Sequence, residues 1–205
     1  MYSDLIKDSQ SRNFATLKDI TSICKDVWKP CLNQIIEYYS IPAFDKNNFP
    51  DYSDSSAIKS NKILLKNEMV LVSKLNPRTK RIWRPLCLTK TCVASTEFIC
   101  FVPNTGYYSF LNSVVNSSQF IDYLSNNAIG TTNSRQRVKP SDALKYSIII
   151  PTNDKLDLFN KITTPLLKLI DVNILENQCL KSLRETLLPK LMSGEIDVSK
   201  LDSYD

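Results

Sequence analysis

Apolar residues recur every seventh position through the last fifty residues of the chain. One row reads Phe159, Leu166, Asn173, Leu180 and Leu187; its companion, three residues on, reads Ile162, Leu169, Glu176, Leu183 and Lys190, with Ile170 and Leu191 widening the stripe. This is the seam of a long helix that packs against another helix. Pro165 leaves two options, a new helix capped by Thr164 or one kinked helix, and a stripe that keeps phase through Pro165 favours the single helix. Ser193 and Gly194 supply its stop. About forty helical residues extend roughly 60 Å, more than a body of about 150 residues can cover. Part of the stripe therefore needs another partner; the alternative is packing along its own domain. Asn173, Glu176 and Asn177 interrupt the seam at its middle, and a polar layer there sets register and partner. Phe159, Ile162, Leu166, Leu169, Asn173, Leu180, Leu183 and Leu187 are assigned to the pairing face.

The formal charge of +5 conceals a strong asymmetry. Residues 1–60 sum to −1, residues 61–152 to +8 and residues 153–205 to −2. Within the middle block, Lys74, Arg78, Lys80, Arg81 and Arg84 fall in one run without an acid, and Asn133-Ser-Arg-Gln-Arg-Val-Lys adds Arg135, Arg137 and Lys139. Such a block is the footprint expected of a protein that holds a polyanion.

Several function classes fall away. With no histidine in the chain, the commonest general base, the histidine-dependent nucleophile pairs and mixed cysteine–histidine zinc sites are all excluded. Three glycines cannot build a phosphate loop or a dinucleotide fingerprint. The six cysteines include no CxxC pair and read as reduced, packed thiols. No apolar stretch approaches the ~20 residues of a membrane span, and the first residues lack a signal-peptide core. The expectation is a non-catalytic, cytoplasmic protein without metal or cofactor.

Coarse periodicity predicts a mixed body. Leu17, Ile20, Ile23 and Cys24 suggest a short helix or covered edge, and residues 45–61 read as a loop. Strands are predicted at Met69–Ser73, Arg81–Leu88, Glu97–Val102 and Ser147–Ile150, with a helix over residues 107–128. The first basic run thus connects two strands, with Asn76 and Pro77 as its turn signal. Without a regular βαβ period the fold class is α+β. The expected division is a globular domain over 1–152, a long coiled-coil helix over 153–198 and a tail over 199–205.

These residues resemble a known family, the specificity (S) subunits of type I restriction-modification systems. Glu176-Asn-Gln-Cys-Leu-Lys-Ser-Leu-Arg-Glu-Thr-Leu-Leu-Pro-Lys-Leu-Met-Ser-Gly-Glu-Ile-Asp-Val looks like the family's conserved-region helix, which typically ends Leu-Arg-x-x-Leu-Leu-Pro-x-Leu-x-Ser-Gly-Glu. Asn67-Glu-Met-Val-Leu-Val-Ser-Lys-Leu-Asn-Pro and Thr131-Thr-Asn-Ser-Arg-Gln-Arg-Val, with Ser147-Ile-Ile-Ile-Pro further on, are similar to parts of its target recognition domain. The resemblance implies a domain that reads one half of a split double-stranded DNA site and a helix that sets the spacing of two half-sites. It also implies a methyltransferase (M) partner, which would bind S-adenosylmethionine, and a restriction (R) subunit in the full complex. Family members typically hold two recognition domains, whereas this chain has one. The expectation is a half-subunit, from a split or rearranged gene or a truncation, that self-associates through its helix.

On that reading Lys74, Lys80 and Arg81 grip phosphates, Arg78 and Arg84 read guanine, and Trp83 either stacks on a splayed base or sits in the core. Asn133, Arg135, Arg137 and Lys139 form the second contact loop, its three cations sharing one face if the segment is extended. A rival is a coiled-coil scaffold whose basic patch binds an acidic partner. A third is a carboxylate-dependent nuclease fragment.

Overall fold

The computed structural model describes residues 13–30, 34–130 and 135–196. The chain divides into two compact units, residues up to Lys161 and residues from Ile162 on. The architecture is α+β.

The first unit is built on two sheets and a ribbon. Strands β2 (Thr21–Ile23), β10 (Phe98–Pro103), β7 (Val70–Ser73) and β8 (Ile82–Trp83) pair in that order, all antiparallel. Strands β3 (Val27–Trp28), β6 (Lys62–Leu64), β9 (Cys92–Ala94), β4 (Ile35–Tyr39) and β5 (Asp51–Asp54) form the second sheet, in which only the β4–β9 pair is parallel. The ribbon joins β1 (Asn13–Thr16) to β11 (Ser147–Ile150). Every residue of β7 is buried, as its unbroken Val-Leu-Val run requires of a strand covered on both faces.

The apolar spacing at Leu17 and Ile20 resolves into a one-turn helix, α1 (Leu17–Ile20), with both residues buried. Its start is held by the Asp19 carboxylate, which accepts from the Thr16 amide at 2.7 Å. A second short helix, α5 (Pro140–Ala143), opens on a proline and buries Ala143.

One core gathers Val70, Val72, Ile99 and Phe101 under Phe110, Leu111, Val114, Val115, Phe120 and Leu124. These last six come from two helices, α3 (Tyr108–Val115) and α4 (Ser118–Asn126), rather than from the single helix expected over 107–128. The break has a local cause. Asn116 Nδ2 donates to the carbonyl of Asn112 at 2.8 Å, and Ser117 Oγ donates to Val114 at 2.7 Å while accepting from the amide of Phe120 at 3.3 Å. Short polar side chains compete with the helical ladder in this way and favour caps.

Two further expectations change. Residues 45–61 contain the end of α2 (Ile41–Asn47), edge strand β5 and a 3₁₀ turn at Ser55–Ala57. The strand expected over Arg81–Leu88 stops at Trp83. Beyond Trp83 the chain forms an irregular crossover between the sheets, fixed by one buried acid. Glu37 is fully buried, and its carboxylate accepts from Leu88 and Thr89 amides at 2.7 and 3.1 Å and from the Tyr39 hydroxyl at 2.5 Å. The Tyr39 hydroxyl in turn accepts from the Leu86 amide at 2.9 Å. Burial, reinforced by this bond to Glu37, pushes the Tyr39 phenol well above its ordinary range, so it stays a donor. A buried carboxylate is tolerated because its acceptor sites are filled.

Helix α6 (Asn153–Met192) runs unbroken past Pro165 and Pro189, the single helix that the phase of the stripe favoured. Leu156 and Phe159, in its first turns, lie in the core of the first unit. Phe159 is 4 % exposed and meets Phe110 edge-on at 6.3 Å, so the sequence-based assignment of Phe159 to the pairing face is corrected to core. In the second unit Ile162, Leu166, Leu169, Ile170, Leu180, Leu183 and Leu187 are exposed. After Met192 the chain leaves the helix through Gly194, whose φ of 72° suits a residue without a Cβ. No described helix is long and apolar enough to cross a membrane.

Glu37→Ala strands the amides of Leu88 and Thr89 and the buried Tyr39 hydroxyl at once. It should lower the unfolding free energy by about 2–4 kcal/mol in urea denaturation, whereas Glu37→Gln, which keeps an acceptor oxygen, should cost less.

Candidate nucleic-acid interface

The two basic segments lie far apart in sequence yet form one piece of backbone. The amide of Asn76 donates to Gln136 at 2.8 Å, and the amide of Val138 donates to Lys74 at 3.0 Å. Arg137 bridges Leu75 on one side and Ile129 on the other, with reciprocal 2.9 Å bonds to Ile129. The segment from Arg135 to Lys139 is thus extended, and its side chains alternate. Val138 is 2 % exposed and joins the core, while Arg135, Arg137 and Lys139 are exposed. The shared face expected for these three cations is the face observed.

The first run, by contrast, is divided. Lys74, half-buried, stands at the end of β7, and Arg78 and Lys80 are exposed on the β7–β8 hairpin tip beyond it. The tip is closed by a 3.0 Å bond from the Thr79 amide to Asn76, a residue at positive φ of 49°. Lys80 Nζ donates to the carbonyl of Asn116, between α3 and α4, at 2.8 Å. Arg84 lies four residues along the chain from Lys80, roughly 13 Å at strand rise, and therefore falls at the other end of the hairpin. Lys74, Arg78 and Lys80 join Arg135, Arg137 and Lys139 in one surface; Arg84 does not.

Burial corrects one assignment made from sequence and decides between the two readings of another. Arg81 is 13 % exposed in its side chain and forks onto Asp45, Nε at 2.7 Å and Nη2 at 2.9 Å, tying β8 to α2. That pair holds the Asp45 carboxyl below the usual carboxylate range, and Arg81 is a structural tie rather than a phosphate grip. Trp83 is 6 % exposed, with Tyr39 and Phe44 edge-on at 4.6 and 5.2 Å, so its ring belongs to the core and not to a base. Asn133 lies outside the described residues.

Sequence reasoning missed Glu97. Its carbonyl accepts from the Lys74 amide at 3.0 Å, and its carboxylate accepts from Arg137 Nε at 3.0 Å and Nη2 at 3.3 Å. The only signal was an isolated acid heading a strand inside a basic block. Gly130 allows a close approach, since a Cβ there would meet the Arg135 carbonyl at 2.9 Å and Gln136 Cα at 3.0 Å. Among the described residues no group of metal-ligating side chains comes together.

No family model and no curated protein matches the sequence. Solved structures do match. A chain of a type I R-M system, solved to explain complex assembly and conformational transition, superposes with a TM-score of 0.62 at 17 % identity, over 94 % of this chain and 51 % of that one. The HsdS subunit from Thermoanaerobacter tengcongensis superposes with a TM-score of 0.59 at 16 % identity, over 94 % of this chain and 52 % of that one.

Gly130→Ala should force the paired segments apart. Faster hydrogen exchange at the Ile129 and Arg137 amides, with a loss of about 1–3 kcal/mol in stability, is the expected outcome. The chain spans about half the length of the solved chains it matches, and over that span its fold is that of an HsdS subunit.

Proposed function

We propose that this chain recognises double-stranded DNA for a type I restriction-modification complex, reading one half of a split site while its long helix pairs with a partner helix. The observation that carries the reading is the main-chain stitching of two distant basic segments to one another, in a fold also seen in HsdS. A scaffold that merely attracts an acidic partner needs charge but not a rigid cation array. Phosphate contacts from Lys74 and Lys80 would position the duplex, Arg78 would read guanine, and Arg135 and Lys139 would take either role. The chain itself would supply no catalysis; methylation, with its S-adenosylmethionine, would belong to the M subunit and cleavage to the R subunit.

Self-pairing of the helix is favoured by the layout of its stripe. Reflection about the bond between Glu176 and Asn177 matches Ile162 with Leu191, Leu166 with Leu187 and Ile170 with Leu183, and sets Asn173 beside Leu180 near the polar middle. The same reflection sets Lys168 against Glu185. An antiparallel two-fold pair would therefore meet apolar against apolar on both sides of its centre, and cation against anion twice over. Two identical recognition domains imply an inverted, split target.

Selection from a random duplex pool tests the reading, using the full chain with and without the methyltransferase subunit. Enrichment of a defined split sequence is expected; no enrichment under either condition rejects it in favour of the scaffold. Lys80→Ala should weaken all duplexes alike and shallow the salt slope by about one unit. For the helix, Lys168→Glu should weaken self-association in sedimentation, and adding Glu185→Lys should restore it. A strict monomer at micromolar concentration in the wild type would reject self-pairing.

A further inference from the structure

We infer that Arg137 is a base-reading residue of this surface and that Glu97 is the positioning residue that makes it one, an inference that rests on the DNA-recognition reading above. Glu97 is an acid set among cations that would otherwise serve phosphate. Its carboxylate takes two N–H groups from one guanidinium, Nε at 3.0 Å and Nη2 at 3.3 Å. Two bonds fix the plane of the fork as well as its position. They occupy the Nε–Nη2 edge. The Nη1–Nη2 edge lies away from the carboxylate in the planar group, and that edge matches O6 and N7 of guanine.

Three further observations agree. The pair is reachable, with 49 % of the Arg137 side chain and 30 % of the Glu97 side chain exposed. Its base is rigid, because the Arg137 backbone is bonded to Ile129 both ways and bridged to Leu75, while Glu97 anchors the Lys74 amide. The pair is also close to neutral, so it adds little to non-specific attraction for the backbone. A cation meant only for phosphate gains nothing from a carboxylate beside it. One meant for a base edge gains orientation and loses an unwanted competitor, the phosphate. On this geometry Arg137 joins the guanine readers that the sequence suggested.

The test compares the wild-type chain with Glu97→Ala and Arg137→Lys, by selection from a random duplex pool and by salt titration. Glu97→Ala releases Arg137 to phosphate. Binding to random duplex should tighten several-fold at low salt and the salt slope should steepen by about one unit. The ratio of selected to random affinity should fall about tenfold, with the lost preference confined to one base pair. Arg137→Lys keeps the charge and removes the fork, so preference should vanish at that same base pair with the slope unchanged. Uniform weakening on every sequence in Glu97→Ala, or retention of the wild-type site by both variants, overturns the assignment. A wild-type chain that selects no sequence overturns instead the DNA-recognition reading on which it depends.

Discussion

Two basic segments do not meet spontaneously; main-chain hydrogen bonds join them. Two unit charges about 8 Å apart in water repel by about 0.5 kcal/mol, and each additional neighbour adds to the strain. Against this stand the bonds from Asn76 to Gln136, Val138 to Lys74 and the Ile129–Arg137 pair. Each contributes about 1 kcal/mol net, and burial of Val138 adds the apolar term. Glu97 removes part of the repulsion at the crowded centre, between Lys74 and Arg137. The positive surface therefore depends on neutral backbone and one acid, not on its own charges.

The same arrangement explains why the neighbouring cations are not equivalent. Arg81 is drawn inward to Asp45 because strand alternation turns it away from the tip, and it works as a tie between β8 and α2. Arg84 is carried along the hairpin away from Lys80 and enters the crossover that Glu37 and Tyr39 pin between the sheets. A run that looks like one patch in sequence is thus separated by strand geometry into a tip, a tie and a crossover. Reassembly of the surface comes instead from residues about sixty positions downstream.

The helix obeys a different constraint. Nothing in its stripe needs a tertiary contact to be recognised, since a seven-residue repeat is a local property. Its first turns still serve the globular unit, where Phe159 meets Phe110. From Ile162 onward most of the stripe is exposed, Ile162, Leu166, Leu169, Ile170, Leu180, Leu183 and Leu187 among it. Exposed leucines at this spacing are what the proposed helix pairing would cover.

Sequence by itself determined the α+β class, the long single helix, the strand over Met69–Ser73, the basic character of the centre and the alternation of Arg135, Arg137 and Lys139. Each of these rests on short periodicities or on charge, which are readable along the chain. Tertiary structure alone decided that Arg81 and Trp83 face inward, that Phe159 is core, and that Glu97 and Glu37 are structural centres. Hydrogen bonds at the heart of those outcomes join residues 36 to 52 positions apart in sequence. Local pattern carries no record of such pairings, because a hydrogen bond between distant segments is set by how the sheets pack and not by the residues on either side of it.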